Sequence, residues 1–257
     1  MSLQARGRDA AKKARLYATR KMHRGYCPIC ESGTTFVIKG DWLREYYFCT
    51  GCGSIPRQRA LVVALNRFFP DWRRSVIHES SPDGASSDLL RRSCPGYTSS
   101  QYLPGVEFGT FRDGIRCENL ESLTFDDASL DLVITQDVFE HVMDPAAAFA
   151  EISRVLRPGG AHVFTMPWYP EAERTVQRAR RENGQIEYLE EAVYHGNPVD
   201  ARGALVTFDW GRDFTDFVFA HGALTTTIYL SKDRHLGLDA EFLEVFISRS
   251  PVTSRFH

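Results

Sequence analysis

The chain lacks the features that would place it at once in a membrane, secreted or polyanion-binding class. It has no apolar run that approaches the roughly 20 residues of a transmembrane helix, and its start has no apolar signal core. Its net charge is only -2, so no excess of one sign covers the whole surface. We therefore expect a cytoplasmic protein with no membrane partner. Its 257 residues, 43% of them hydrophobic, suit one α/β domain with an appendage or two small domains.

Basic residues are concentrated in the first 24 positions, which hold eight lysines and arginines against one acid, Asp9. We predict a basic N-terminal helix over residues 1–24. Such a segment either contacts nucleic acid or an acidic partner, or is a solvated terminal helix, and the sequence leaves both open.

Six cysteines in a cytosolic chain indicate metal binding or chance burial before disulfides. CPIC at 27–30 and CTGC at 49–52 are two C-x2-C turns separated by eighteen residues, a spacing that predicts a four-thiolate zinc site. The predicted ligands are Cys27, Cys30, Cys49 and Cys52. A closed four-sulfur site leaves no position for water, so we expect Zn²⁺ to be structural.

We predict that this zinc ribbon spans residues 25–56, with short strands in TTFVIKG and REYYFC between the two turns. Whether the ribbon also contacts nucleic acid is left open by its lysine, arginine and tyrosine residues. Cys94 and Cys117 fit no metal spacing.

From about residue 57 to the end, helical and strand-like segments alternate, which predicts an α/β domain with a parallel, doubly wound sheet. The expected strands lie at 75–79, 96–103, 114–120, 129–137 and 161–167, and a helix is expected over 144–156. This helix is expected to stop at RPGG, where glycine turns the chain. A helix over 212–222 and two strands, 224–231 and 241–249, end the domain.

An insert of about residues 167–210 separates the fifth strand from the helix over 212–222. Asn183-Gly184 within it predicts a tight β-hairpin. A segment of this length at the carboxyl edge of a sheet is typical of a lid or substrate element.

The turn after the first strand, in VIHESSPDGASS (76–87), is short of glycine. Nucleotide-binding α/β proteins place glycines at this point because the backbone must approach the cofactor and adopt positive φ. Here Gly84 is the single glycine, and Ser80 and Pro82 stand where others are expected. By itself this turn is a weak signal for a cofactor loop.

The stretch from Leu123 to Pro167, LTFDDASLDLVITQDVFEHVMDPAAAFAEISRVLRPGGAHVFTMP, resembles class I S-adenosylmethionine-dependent methyltransferases of the type 11 group. Leu123 to Asp131 matches the run that feeds strand four, Glu140 to Pro145 matches the Glu-His-x-x-Asp-Pro segment, and Leu156 to Gly160 matches Leu-Arg-Pro-Gly-Gly. The resemblance implies a Rossmann-like, seven-stranded sheet with helices on both faces. It also implies S-adenosylmethionine bound across the carboxyl ends of strands one to four.

Carried over position by position, the resemblance implies a set of cofactor-binding residues. Glu79 matches the acidic position that ends strand one, and the serines after it replace the glycine loop. The ribose position, usually acidic, is neutral here, and Asn119 stands where an Asp usually reads the adenine amine. The implied residues are Glu79, Ser80, Ser81, Gly84, Ser100, Gln101, Glu118, Asn119, Leu120, Gln136 and Asp137.

Two histidines are candidates for a general base toward the methyl acceptor. His141 follows strand four beside Glu140, and His195 lies in the insert with Asp209 and Trp210. Packing or capping roles for both histidines remain open.

The leading hypothesis is an S-adenosylmethionine-dependent methyltransferase that acts on a small-molecule or sugar-type acceptor and carries a structural zinc. Two alternatives stay open. One is an RNA methyltransferase that uses the ribbon and the basic N-terminus, which the near-neutral charge does not favour. The other is a catalytically silent methyltransferase fold that serves as a zinc-binding interaction protein. The acceptor atom and the oligomeric state are not determined by the sequence.

Overall fold

The computed structural model describes residues 21–196 and 203–252. Residues 1–20 of the predicted basic helix lie outside the described residues. The last positions of that prediction are not helical, because the first strand, β1 (Met22–Cys27), begins there. The described part of the chain contains no helix that is long and apolar enough to cross a membrane.

The ribbon is a three-stranded antiparallel sheet in the order β1-β2-β3, with β2 at Ser32–Ile38 and β3 at Tyr47–Cys49. The sequence predicts two of these strands, and the third, β1, precedes the first cysteine turn. A four-residue helix, α1 (Leu43–Tyr46), occupies the first part of the predicted strand REYYFC. This helix directs Arg44 away from the ribbon, with consequences for the site described below.

The central sheet has the strand order β16-β17-β9-β8-β4-β5-β7-β6. β4, β5, β7, β8 and β9 pair in parallel, whereas β17 runs antiparallel to β9. The bounds are β4 Ile77–Ser80, β5 Tyr97–Gln101, β6 Phe111–Arg112, β7 Ile115–Cys117, β8 Leu130–Gln136, β9 Leu156–Thr165, β16 Thr225–Tyr229 and β17 Val245–Arg249. Seven of these strands form the predicted sheet, and the eighth is the two-residue β6, which pairs with β7 at the edge.

Four longer helices cover the two faces of the sheet: α2 Pro56–Phe68, α3 Gly84–Ser93, α4 Pro145–Val155 and α5 Phe214–Gly222. The start of α4 follows from its sequence, because Pro145 suits the first turn and the Asp144 carboxylate accepts the N–H of Ala147 at 3.0 Å. Its end differs from the prediction. The helix stops at Val155, and residues 156–160, including Arg-Pro-Gly-Gly, already belong to β9.

Two hydrophobic cores lie on opposite faces of the sheet. One joins α2 and α3 to ribbon residues such as Ile29, Phe36 and Tyr47, and the other joins α4, α5 and the aromatic residues of the insert. Arg59 of α2 is fully buried against the ribbon, where it donates to the carbonyl oxygens of Tyr47 (3.0 Å) and Gly237 (2.8 Å). The ribbon is therefore packed into the core of the α/β domain.

The insert contains the predicted hairpin. β11 (Ala179–Glu182) pairs with β12 (Gln185–Tyr188), and the turn residues Asn183 and Gly184 have φ of 49° and 77°. Two further short pairs hold the rest of the described insert: β10 (Val176–Gln177) with β15 (Phe208–Asp209), and β13 (Tyr194–His195) with β14 (Ala204–Leu205).

Candidate active site and zinc centre

The first loop, residues 80–84, has the backbone of a glycine loop despite its composition. Ser81 and Gly84 have φ of 56° and 71°, and the N–H of Ser81 donates to the carbonyl oxygen of Ser100 at 2.8 Å. Left-handed backbone is costly for serine, by about 1–2 kcal/mol, so the surrounding structure must hold it there. A Cβ at Gly84 would in addition lie 2.0 Å from the side-chain nitrogen of Gln58, so that side chain would have to move.

Glu79, at the end of β4, is fully buried and satisfied by side chains of the protein itself. Its carboxylate accepts hydrogen bonds from the hydroxyls of Ser87 (2.8 Å) and Tyr97 (2.6 Å) and from the side-chain amide of Gln136 (2.8 Å). Burial raises the pKa of Glu79, and these three hydrogen bonds oppose the rise. Glu79 and Gln136 therefore support the floor beneath the first loop through internal hydrogen bonds.

The residues predicted at the ends of the second and third strands are divided between internal bonds and open positions. Ser100 is buried with its hydroxyl 2.9 Å from Nε2 of His78, and Glu118 accepts from Arg116 and from Thr124. Gln101 and Asn119 are half-buried at the strand ends, while Leu120 is buried. The side-chain oxygen of Asn119 accepts the N–H of Glu121 at 3.1 Å, which leaves its amide nitrogen to donate. Of the five residues predicted here, Gln101 and Asn119 are thus the two polar side chains best placed to meet a ligand.

Asp137, immediately after β8, is bound by two arginines that sequence reasoning missed. Arg44 of α1 approaches it at 2.8 Å and Arg57 of α2 at 3.3 Å, and Thr165 donates to it at 3.0 Å. Burial alone would raise the pKa of Asp137, but the two arginines outweigh burial and hold that pKa below its ordinary range. No local motif marks these arginines, because the fold brings them across some 90 residues of sequence.

Arg57 also links the first loop to this ion pair. Its guanidinium lies 3.7 Å from the carboxylate of Asp83 as well as 3.3 Å from that of Asp137. The carboxyl edge of the sheet at β4 and β8 is therefore bordered by two cationic groups that come from the ribbon helix and from the helix after it.

The two predicted catalytic histidines lie together, with ring centroids 5.1 Å apart. Both approach Glu140, with His141 Nε2 at 3.8 Å and His195 Nδ1 at 4.0 Å from its carboxylate. Burial, together with the carboxylate of Asp137, raises the pKa of Glu140 to about 8, and burial lowers the pKa of both histidines. Burial thus favours the uncharged form of all three groups.

A cavity of about 200 Å³ adjoins this cluster and is lined by Glu140, His195 and residues of the insert. Tyr169, Arg178 and Asp209 add polar groups to its wall, and Arg178 is paired with Asp209 at 2.6 Å. Apolar residues, Val193, Val206 and Phe208 among them, complete the lining, so the insert forms one side of a small chamber of mixed character next to the carboxyl end of β8. Trp210, named with His195 in the sequence, is fully buried in the aromatic core instead.

The four predicted zinc ligands converge, with each Sγ within 4.8 Å of the others. Cys27 and Cys52 place their sulfurs 3.8 Å apart, and Cys30 and Cys49 place theirs 3.7 Å apart. A tetrahedral ion with Zn–S bonds of about 2.3 Å separates its sulfurs by about 3.8 Å, so these distances fit zinc. They are far longer than a disulfide bond, and all six cysteines are free thiols.

The strand order fits the fold that the sequence predicted. Strands from β4 to β7 are added on one side of β4, and those from β8 onward lie on its other side; open α/β sheets bind their ligands at such a switch point. β17 lies antiparallel between β9 and β16. The family model described as "Methyltransferase domain" matches residues 99–164, which lie within this sheet.

Curated relatives match over the same part of the chain. A dimethylglycine N-methyltransferase from Parasynechococcus marenigrum is 49% identical over 96 residues, which cover 37% of this chain and 31% of the relative. A probable S-adenosylmethionine-dependent methyltransferase from Mycolicibacterium smegmatis is 45% identical over 98 residues, 37% of this chain and 38% of the relative. The match thus spans well under half the length of these relatives.

Solved structures also resemble the chain. An S-adenosylmethionine-dependent methyltransferase from Mesorhizobium loti aligns over 74% of this chain and 97% of its own, with 16% identity and a TM-score of 0.48. The amino pentose methyltransferase CalS10 from Micromonospora echinaspora aligns over 77% and 92%, with 18% identity and a TM-score of 0.47.

Proposed function

We propose that this protein transfers the methyl group of S-adenosylmethionine to a small polar acceptor of the sugar or amine type. The observation that carries the proposal is the small cavity with polar groups in its wall beside the carboxyl end of β8, which ends in the segment that the family model matches. A chamber of about 200 Å³ suits a small molecule better than a nucleic-acid strand. Relatives and neighbours include methyltransferases of dimethylglycine and of an amino pentose, which agree with an acceptor of this size.

The described residues fit the cofactor at three points of the carboxyl edge. The first loop already has positive φ at Ser81 and Gly84, so its backbone is shaped for close approach. We assign Gln101 and Asn119 to the nucleoside end, where half-buried amides can bind hydroxyl and amine groups. We assign Arg57 and Asp137 to the methionine end, where charges of both signs match a carboxylate and an ammonium group.

Methyl transfer from a sulfonium is an in-line displacement, so the protein chiefly has to position the acceptor against the methyl group. S-adenosylmethionine supplies that group when bound. Tyr169, Arg178 and Asp209 are proposed to orient the acceptor, because they line the cavity with hydrogen-bonding groups. His141 and His195 are proposed to take the acceptor proton, since burial keeps both imidazoles neutral.

The test has a binding arm and a turnover arm. Calorimetry should detect binding of S-adenosylmethionine and S-adenosylhomocysteine, and Asn119→Ala should weaken it several-fold, whereas Tyr169→Phe should leave it unchanged. With methyl-labelled cofactor and a panel of amino sugars and small amines, Tyr169→Phe should raise the KM of the acceptor. His221→Ala, on the exposed surface of α5, is the matched control. Absence of binding at millimolar cofactor would instead support a silent fold.

A further inference from the structure

Three groups that bind metals converge beside the cavity, well away from the cysteines. Glu140, His141 and His195 place one ligand atom each within 4.8 Å of the others. The carboxylate oxygen lies 3.8 Å from Nε2 of His141 and 4.0 Å from Nδ1 of His195. These separations are too long for hydrogen bonds, and they match two ligands of one ion, since bonds of about 2.0–2.2 Å separate neighbouring ligand atoms by roughly 3–4 Å.

Among these three groups, Glu140 is the one whose buried side chain lacks a hydrogen-bond partner in the described part of the chain. The residue is 2% exposed, and both its carboxylate oxygens are buried without a hydrogen-bond partner among residues 21–196 and 203–252. A buried polar group without a partner is costly, so such groups are seldom left unoccupied in a native fold. Its carboxylate faces the cavity, which His195 lines from the insert side.

The main chain holds this arrangement in place. The carbonyl oxygen of Glu140 accepts the N–H of Thr207 at 2.7 Å and its hydroxyl at 3.0 Å. His141 Nδ1 lies 2.9 Å from the carbonyl oxygen of Leu205, which can accept only a proton donated by the ring. The lone pair of His141 is thereby placed on Nε2, the nitrogen that faces Glu140. A backbone acceptor on the second ring nitrogen is the usual companion of a metal-binding histidine.

We propose that Glu140, His141 and His195 bind a divalent transition-metal ion that is separate from the structural zinc. Two imidazoles and one carboxylate suit ions such as Zn²⁺, Co²⁺, Ni²⁺ and Fe²⁺. Three protein ligands leave coordination positions open toward the cavity, where an oxygen of a small ligand can bind.

The catalytic meaning of this ion rests on the proposed function. In the metal-loaded protein the two histidines are ligands, and the ion takes over their role by lowering the pKa of a bound acceptor hydroxyl. The existence of the site does not depend on methyl transfer, so binding and turnover are tested separately.

The binding experiment uses the full chain with its cysteine site loaded with one Zn²⁺ per chain. Co²⁺ is then added, and calorimetry and visible absorption report its binding. We expect one further ion per chain, without the intense sulfur-to-cobalt charge-transfer band that thiolate ligands produce. His195→Ala, which removes a half-exposed side chain, and Glu140→Gln should each lower Co²⁺ affinity at least tenfold. His221→Ala should bind Co²⁺ as the parent chain does.

Co²⁺ binding with the charge-transfer band, unchanged affinity in His195→Ala, or a total of one metal per chain would each overturn the proposal. Circular dichroism of both variants guards against loss of fold as the cause of weakened binding. Co²⁺ binding without methyl transfer to any acceptor would leave the metal site standing and count against the proposed function. Methyl transfer at full rate in the chain with zinc in the ribbon alone would leave the proposed function standing and count against a catalytic role for the second ion.

Discussion

The guanidinium of Arg44 lies 2.8 Å from the carboxylate of Asp137, and this ion pair joins the zinc ribbon to the end of strand β8. Arg44 is 3% exposed, so the pair is shielded from solvent on the side of the ribbon. The ribbon therefore reaches the edge of the sheet that is proposed to bind the cofactor. The helix α1, which carries Arg44, thus connects the ribbon to that edge.

Replacing one partner of the Arg44–Asp137 pair should lower the free energy of unfolding more than replacing both partners. Arg44→Ala leaves Asp137 with Arg57 as its remaining cation, and Asp137→Asn leaves Arg44 buried, so each should cost about 3 kcal/mol of unfolding free energy. Asparagine is the suitable replacement because Asp137 has φ of 52°, which asparagine tolerates. Urea unfolding of both single variants and the double variant measures the coupling. Purely additive losses would show that the pair contributes nothing.

Removal of zinc should destabilise the whole domain, because the ribbon and α2 share one core. We expect Cys27→Ser, or a strong chelator, to lower the melting temperature in a single transition monitored by circular dichroism and by tryptophan fluorescence. Trp72, fully buried in that core, reports on the domain. Cys94→Ser is the control, since Cys94 is a buried thiol outside the zinc site. If the circular dichroism changed on loss of zinc while the fluorescence still reported a folded domain, the ribbon and the domain would fold independently.

Glu79→Ala should reduce both stability and cofactor affinity. The change leaves the hydroxyls of Ser87 and Tyr97 and the amide of Gln136 without their shared acceptor, at a cost of about 3 kcal/mol. The first loop that these residues support should then bind S-adenosylmethionine at least tenfold more weakly, on the order of 1.4 kcal/mol. Urea unfolding and calorimetry measure the two effects. A folded variant with unchanged affinity would show that this loop is not the cofactor loop.

Gly84→Ala should destabilise the first loop for two separable reasons. Alanine at φ of 71° costs about 1 kcal/mol, and its Cβ would overlap the side chain of Gln58. Gln58→Ala in the same chain should relieve the overlap and recover part of the loss, corrected for the effect of Gln58→Ala alone. Thermal unfolding of the three variants measures this difference. No recovery would assign the whole effect to the backbone.

Acid should destabilise the fold in part through His162. Burial lowers the pKa of His162 to about 3, below the ordinary value of 6.5. The unfolded chain therefore binds the proton first, and stability is lost as pH falls from about 6.5 toward 3. By pH of about 5 the loss from this one group is about 2 kcal/mol.

His162→Phe removes this titration and keeps an aromatic ring, since His162 already stacks on Phe164. Urea unfolding at pH of about 7.5 and about 5 should show a smaller loss in the variant than in the parent chain. His221→Ala should keep the parental pH dependence. An equal loss in all three proteins would exclude His162 as a source of acid sensitivity.

Much of the architecture followed from local pattern. β8 is predicted because a run of apolar and β-branched residues must be buried on both faces, and α4 because Pro145 and Asp144 start a helix. The hairpin at Asn183-Gly184 follows from turn chemistry, and the convergence of the four cysteines from their spacing. The end of α4 was predicted wrongly, because Leu156 pairs with Leu130 before the glycines are reached.

The contacts that each predicted site residue makes could not be predicted from local sequence patterns. Glu79 is an acid at the expected position, yet only the folded chain shows that Ser87, Tyr97 and Gln136 occupy its oxygens. His141 and His195 are separate in sequence, and the pairing of β13 with β14 brings them to Glu140. Short-range patterns thus determined the strands, the convergence of the four cysteines and the resemblance to methyltransferases. The tertiary structure decided which charges meet, as with Arg44 and Asp137, because contacts between distant segments depend on how the elements pack and leave no periodic trace in the sequence.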